Sequence, residues 1–210
     1  QDHFSARVQT LSTQPSSYNR DLNGWRKYWQ GFKYVAAKRG YLTLSSSQAA
    51  AFVKSGPDMG WADLEISFRP MTFTYRDSGE VQVDAYDAMG ASVYRVRPDS
   101  RGEIRLHSAD PMAAPAFVPN YLVANRDVEA TLFGLRLSRK ILATEPMKSR
   151  VVSELIPGSK AVTDEQLIDF MEQQGHCAFH PAGTCKMGRD DQAVVDERLR
   201  VHGIERLRVT

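Results

Sequence analysis

The chain has 210 residues, 42% of them hydrophobic and 25% charged, with 27 Lys+Arg against 25 Asp+Glu and a formal charge of +2. That length suits one domain, or one domain with part of a second, and the composition is that of an ordinary globular protein. The charge balance argues against a nucleic-acid partner, no apolar run approaches the roughly 20 residues that span a bilayer, and the two cysteines, Cys177 and Cys185, do not make a disulfide scaffold.

Residues 1–18 are rich in Ser, Thr and Gln and read as an extended connector. A helix is predicted from about Asn19, its cap, to Arg39, with Gly40 ending it. Trp25, Tyr28, Trp29, Phe32, Val35 and Ala36 form one apolar stripe on this helix. The stripe is expected to pack on another part of the same protein, with docking to a membrane surface as the alternative. Residues 41–60 show little periodicity. Asp63–Arg76 carries Leu64, Ile66 and Phe68 in alternation and is interrupted by Pro70, which predicts two short strands or a bulge. Ser92–Arg97 and Glu103–His107 flank the turn signal Pro98-Asp99-Ser100-Arg101-Gly102 and read as a hairpin. Phe117–Tyr121 adds a further strand.

A helix from about Arg126 to Thr144 has Val128, Leu132, Leu135 and Leu142 on its buried side and stops before Pro146. The last helix starts at Thr163, which has capping-box spacing to Gln166. It carries Leu167, Ile168 and Met171 on its apolar face and ends at Gly175. Strands followed by helices, with no βαβ alternation, give an α+β fold: a mostly antiparallel sheet covered by helices on one face.

The densest chemical signal is the Gly- and Pro-rich loop Gly175-His176-Cys177-Ala178-Phe179-His180-Pro181-Ala182-Gly183-Thr184-Cys185-Lys186-Met187-Gly188. His176, Cys177, His180 and Cys185 are possible zinc ligands, but adjacent His176 and Cys177 converge poorly and no second ligand pair exists, so no metal site is assigned. Thiol chemistry would need an electropositive setting that only Lys186 hints at, and both cysteines read as small buried residues. The third reading is general-base catalysis by His180, since a neutral imidazole can take a hydroxyl proton near neutral pH. From composition alone, a single loop histidine is more often structural.

His180-Pro181-Ala182-Gly183-Thr184-Cys185-Lys186-Met187-Gly188 resembles the active-site signature of the glucose-methanol-choline (GMC) flavin oxidoreductases. Val194–Val209 resembles the segment that follows it there. Arg97–Leu106, Pro119-Asn120-Tyr121-Leu122 and Gln1-Asp2-His3 are similar to three further family stretches, so the likeness covers the whole chain. The finer likeness is to the bacterial choline dehydrogenase and alcohol dehydrogenase branch.

The resemblance implies FAD as cofactor and oxidation of a primary alcohol, choline-like or other, to a carbonyl. The substrate carbon gives hydride to the flavin while His180 takes the hydroxyl proton. It places Phe179 and His180 beside the cofactor, with Phe179 helping to keep the imidazole neutral, and puts Phe68 and Pro70 at the substrate pocket. Ordinary sheet core is the competing reading for those last two. Oxygen or a quinone-type carrier would accept the electrons. His3, His107 and His202 are read as structural or solvent-facing.

On the family pattern, residues 1–60 lead in from an FAD domain, 61–174 form the substrate-binding domain, and 175–210 carry the active-site loop. The dinucleotide fingerprint would lie before Gln1 and a second active-site His or Asn after Thr210. The chain by itself is therefore expected to bind FAD weakly or not at all, without turnover. A catalytically inactive domain or binding module is the alternative function, and a short zinc module the third. A cytoplasmic location is expected, with peripheral membrane attachment left open.

Overall fold

The computed structural model describes residues 1–75 and 80–210. Its strands and α-helices, in chain order, are β1 (Phe4–Ser12), α1 (Arg26–Ala37), β2 (Ala49–Val53), β3 (Leu64–Arg69), β4 (Phe73–Tyr75), β5 (Val81–Val83), β6 (Ala88–Arg95), β7 (Glu103–Arg105), β8 (Ala116–Val118), α2 (Asn125–Leu142), β9 (Val151–Ile156), α3 (Asp164–Gln174) and β10 (His176–Cys177). The main sheet has six strands in the order β10-β1-β6-β3-β2, and β9 pairs with β1 on the same edge as β10. Every pairing in it is antiparallel. Helices α2 and α3 cover one face, so the α+β architecture is the expected one. Among the described residues no helix is long and apolar enough to cross a membrane.

Several elements differ from their sequence-based expectation. Residues 4–12 are an inner strand of the sheet and not a connector. The first long helix is broken: a short 3-10 turn spans Asn19–Leu22, and α1 starts only after Gly24, whose φ is +55°. Asn19 does not cap α1. It is fully buried and instead exchanges hydrogen bonds with Thr72. The expected hairpin does not form either: β7 pairs with β8, while β6 lies between β1 and β3. The break at Pro70 is present, with β3 before it and β4 after it; the expected strand end at Arg76 lies outside the described residues. β2 and β9 had no periodic signal. The main sheet draws strands from each of the segments 1–60, 61–174 and 175–210.

The core follows from the alternation of side chains along each strand. Ala6 and Val8 of β1, Leu64 and Ile66 of β3, and Ala91 and Val93 of β6 are buried toward the helices. They meet Ala130, Leu132 and Leu135 of α2, and Leu167, Phe170 and Met171 of α3. Each large aliphatic side chain so buried stabilises the fold by roughly 1.5–3 kcal/mol. α2 lies so close to β6 that a Cβ on Gly134 would come within 2.3 Å of Val93 Cγ1. The capping box predicted for α3 is present, with the Thr163 side chain accepting from the Gln166 N–H.

The first turn of α2 is tied to the strand beneath it. Asp127 accepts hydrogen bonds from Arg95 Nη1 (2.6 Å) and from the N–H groups of Asp99 (2.9 Å) and Ser100 (2.8 Å). Burial opposes the charge on Asp127, but hydrogen bonds from Ser100, Asp99 and Arg95 outweigh it and hold the carboxyl below its usual range. The same side chain thereby fixes the Pro98–Gly102 turn.

Among the described residues the opposite face of the sheet carries no helix. Register and alternation place Ser5, Arg7 and Gln9 of β1 there, with Gly90, Ser92 and Tyr94 of β6 and Glu65, Ser67 and Arg69 of β3. It is a polar face, and its edge nearest β10 leads to the loop rich in reactive side chains.

Candidate active site

β10 is two residues long and pairs with Phe4 and Ser5. This pairing turns the loop after it back over the start of the chain. The Ala178 N–H donates to the His3 carbonyl (2.9 Å) and the Ala182 N–H to the Gln1 carbonyl (2.7 Å). Residues 1–3 and 178–182 therefore form one structural unit, although nearly the whole sequence separates them.

Asp2 is the centre of that unit. One carboxylate oxygen accepts from the N–H groups of His3 (2.7 Å) and His180 (2.9 Å). The other accepts from the Tyr121 hydroxyl (2.8 Å) and the Cys177 thiol. Partial burial works against the Asp2 charge, but hydrogen bonds from Cys177, Tyr121, His180 and His3 prevail and hold its carboxyl below the usual range. The partners respond in the opposite sense. Burial and the bond to Asp2 push both the Cys177 thiol and the Tyr121 phenol up, so both stay protonated donors.

Above this anchor three rings meet. His3 stacks on Tyr94, with centroids 4.8 Å apart and planes 16° from parallel. His180 stands nearly perpendicular to His3, at 89° and 5.4 Å, and edge-on to Tyr94 at 6.0 Å. His3 Nε2 lies 3.0 Å from the Val96 carbonyl oxygen, and its Nδ1 lies 3.4 Å from His180 Nδ1. His180 is itself exposed. The site thus presents an accessible imidazole with its backbone and its Nδ1 side fixed.

Comparison with known proteins adds the context. The family profile for GMC oxidoreductase matches residues 98–210. The chain belongs to the GMC oxidoreductase family. Its whole length is 34% identical, over 209 residues, to an oxygen-dependent choline dehydrogenase of Pseudomonas putida, of which it covers 36%. It is also 34% identical over 209 residues to the oxygen-dependent choline dehydrogenase of Chromohalobacter salexigens, covering 37% of that protein. The GMC chain thus spans little more than a third of the curated relatives it matches. The formate oxidase of Aspergillus oryzae shares the fold, with a TM-score of 0.86 at 24% identity over 99% of this chain and 41% of that one. A FAD-dependent oxidoreductase from Chaetomium thermophilum does so with a TM-score of 0.72 at 18% identity, over 99% of this chain and 42% of that one.

Within this GMC chain the expected site residues separate into two groups. His180 and Phe179 lie together on the loop, and Phe179 has φ +61° and is 69% exposed, so it does not bury the imidazole. Phe68 packs with the helix-side core, opposite Ala91, on the sheet face away from Tyr94 and His180. Pro70 is buried at the end of β3. The geometry does not bring Phe68 to the loop. His107 and His202 are exposed, and His202 Nε2 lies 3.0 Å from the Gly188 carbonyl oxygen.

The cysteines, expected to be small buried residues, are not: Cys185 is exposed and Cys177 is half-buried on Asp2. Among the described residues no group of three or more His, Cys, Asp or Glu is placed to hold a metal ion. Asp2, His3, Tyr94 and Tyr121 join the site without having been expected there from the sequence. Asp2, His3 and Tyr121 lie in the short stretches that carried the family resemblance, which was the available signal; Tyr94 had none.

Proposed function

We propose that the full-length protein is an FAD-dependent oxidoreductase that oxidises a small primary alcohol to a carbonyl, with His180 as the general base. The observation that carries this reading is the setting of His180: an exposed imidazole whose backbone is pinned by Asp2 and whose Nδ1 edge faces His3. A base must be reachable by the substrate hydroxyl yet fixed in orientation, and a positioned imidazole contributes roughly 10²–10⁴-fold to proton transfer. FAD, when bound by the parent protein, supplies the hydride acceptor. Phe179 and His180, exposed side by side on the loop, are the residues of this chain that fit a border for it.

The chain's own residues then divide the work. Asp2 holds the loop backbone, Tyr94 and His3 orient the imidazole, and His180 takes the hydroxyl proton as the alcohol carbon gives up hydride. The choline dehydrogenase relatives favour choline or a similar medium-sized primary alcohol as substrate, and their description as oxygen-dependent favours oxygen as the electron acceptor.

The test uses the full-length protein with and without His180→Ala, following flavin bleaching by a panel of primary alcohols under anaerobic conditions. The variant is expected to keep its flavin spectrum and to bleach at least about a hundredfold more slowly. Equal bleaching by variant and wild type would remove His180 from the chemistry.

A further inference from the structure

We infer that His3 sets the tautomer of His180, holding the proton on Nδ1 and leaving Nε2 as the free, basic nitrogen. The tautomer follows from the hydrogen bonds alone; its catalytic consequence rests on the proposal that His180 is the base.

Val96 fixes the first proton. A backbone carbonyl oxygen only accepts, so the 3.0 Å contact with His3 Nε2 requires that nitrogen to carry hydrogen. A neutral imidazole has one N–H, which leaves His3 Nδ1 with its lone pair. That lone pair faces His180 Nδ1 at 3.4 Å. Two lone pairs facing each other repel, so the hydrogen lies on His180 Nδ1 and is donated to His3. The remaining nitrogen of His180, Nε2, is then unprotonated and directed away from the pair.

The surroundings hold this relay in place. Tyr94 lies flat against the His3 ring, which fixes the plane in which the Nδ1 lone pair points. Asp2 accepts from the backbone N–H groups of both histidines, which fixes the distance between their main chains. Burial and then a hydrogen bond to Glu65 push the Tyr94 phenol up, so Tyr94 remains a neutral ring under His3. When Nε2 takes a proton, the Nδ1–H to His3 bond persists, and a neutral acceptor is already in place for the imidazolium. An orienting partner on the second nitrogen is a common means of fixing which imidazole nitrogen does the chemistry. His3 is a positioning residue in this sense, since it acts only through His180.

The direct measurement is long-range proton–nitrogen NMR on the full-length protein with 15N-labelled histidine at about pH 8, the His180 and His3 signals assigned with His180→Gln and His3→Leu. The expected spectrum has His180 protonated at Nδ1 and His3 protonated at Nε2. In His3→Leu, the acceptor is gone and His180 shifts toward the Nε2-protonated form. In His3→Asn, whose side-chain oxygen can stand where Nδ1 stood, His180 keeps its proton on Nδ1. Finding His180 protonated at Nε2 in the wild type, or a doubly protonated His3, would overturn the inference. So would a His180 signal that His3→Leu leaves unchanged.

The second arm follows flavin reduction in the full-length protein. His3→Leu is expected to slow reduction by roughly tenfold with the substrate dissociation constant unchanged, and His3→Asn to recover to within about threefold of wild type. Slowing that His3→Asn does not relieve would make His3 merely structural and sink the catalytic half. If the NMR pattern holds while His180→Ala reduces flavin at the wild-type rate, the tautomer stands and the general-base reading falls.

Discussion

α1 and α2 both place apolar residues at three- and four-residue spacing, yet they end in opposite situations. α2 lays Leu132, Leu135 and Leu142 onto the sheet and α3, and all of them are buried. α1 buries only Gln30, while Trp25 is 73% exposed and Val35 74%. The stripe expected to pack against the same protein therefore has no cover within the described residues. Cations lie over three of its rings instead, Arg26 over Trp25, Lys27 over Tyr28 and Lys33 over Trp29, and Lys38 lies over Tyr34 beside the stripe. Each such exposed pair contributes about 0.5–1 kcal/mol, much less than burial of a large apolar side chain. Periodicity reveals that a helix has a face, and only contact reveals whether the face is covered.

Substitutions that break this contrast can be ordered by size. Removing Asp127, which pins α2 to the strand below, leaves the buried Arg95 with Asp99 as its close partner. Asp127→Ala is expected to cost about 3–4 kcal/mol in chemical denaturation. Asp127→Asn should change the acid limb of stability. The folded-state carboxyl lies below its usual range, so its contribution is complete above the unfolded value of about 4 and is lost as pH falls through the folded value. Wild type and variant should therefore converge in acid, and a gap that persists well below that range would contradict the assignment.

Leu135→Ala opens a cavity in the core and should cost about 2–4 kcal/mol, read from the shift in denaturation midpoint. Gly134→Ala adds a methyl against Val93 and should cost about 1–3 kcal/mol in the same measurement. Phe32→Ala on α1 should fall within about 0.5 kcal/mol of wild type. A loss of 2 kcal/mol or more at Phe32, on the order of a core truncation, would mean that α1 is covered after all.

Legibility in the sequence followed the same division. The α2 stripe and the α3 capping box were readable because each depends on residues within a turn or two of one another. β1 was missed although Ala6, Val8 and Thr10 alternate with Ser5, Arg7 and Gln9, because its inward residues are small and its outward ones polar. β2 gives no strand signal because Ala49–Val53 are all apolar, without alternation, and the strand is an exposed edge held by backbone pairing with β3. The false hairpin came from a sound turn signal: the turn at Pro98–Gly102 exists, but Asp127 holds it, and the strand after it pairs with β8.

The sequence by itself determined the helices of the core, the α+β class, the family and the loop that carries His180. Those depend on local spacing and on residue identity. Only the tertiary structure decided that Asp2 and His3 stand against His180, that Tyr94 supports them, that Phe68 faces the other side of the sheet, and that α1 keeps its aromatic face outward. Those depend on which strands pair and in what register. Such pairing joins residues remote in the chain through backbone hydrogen bonds, and shifting it by one residue reverses every face.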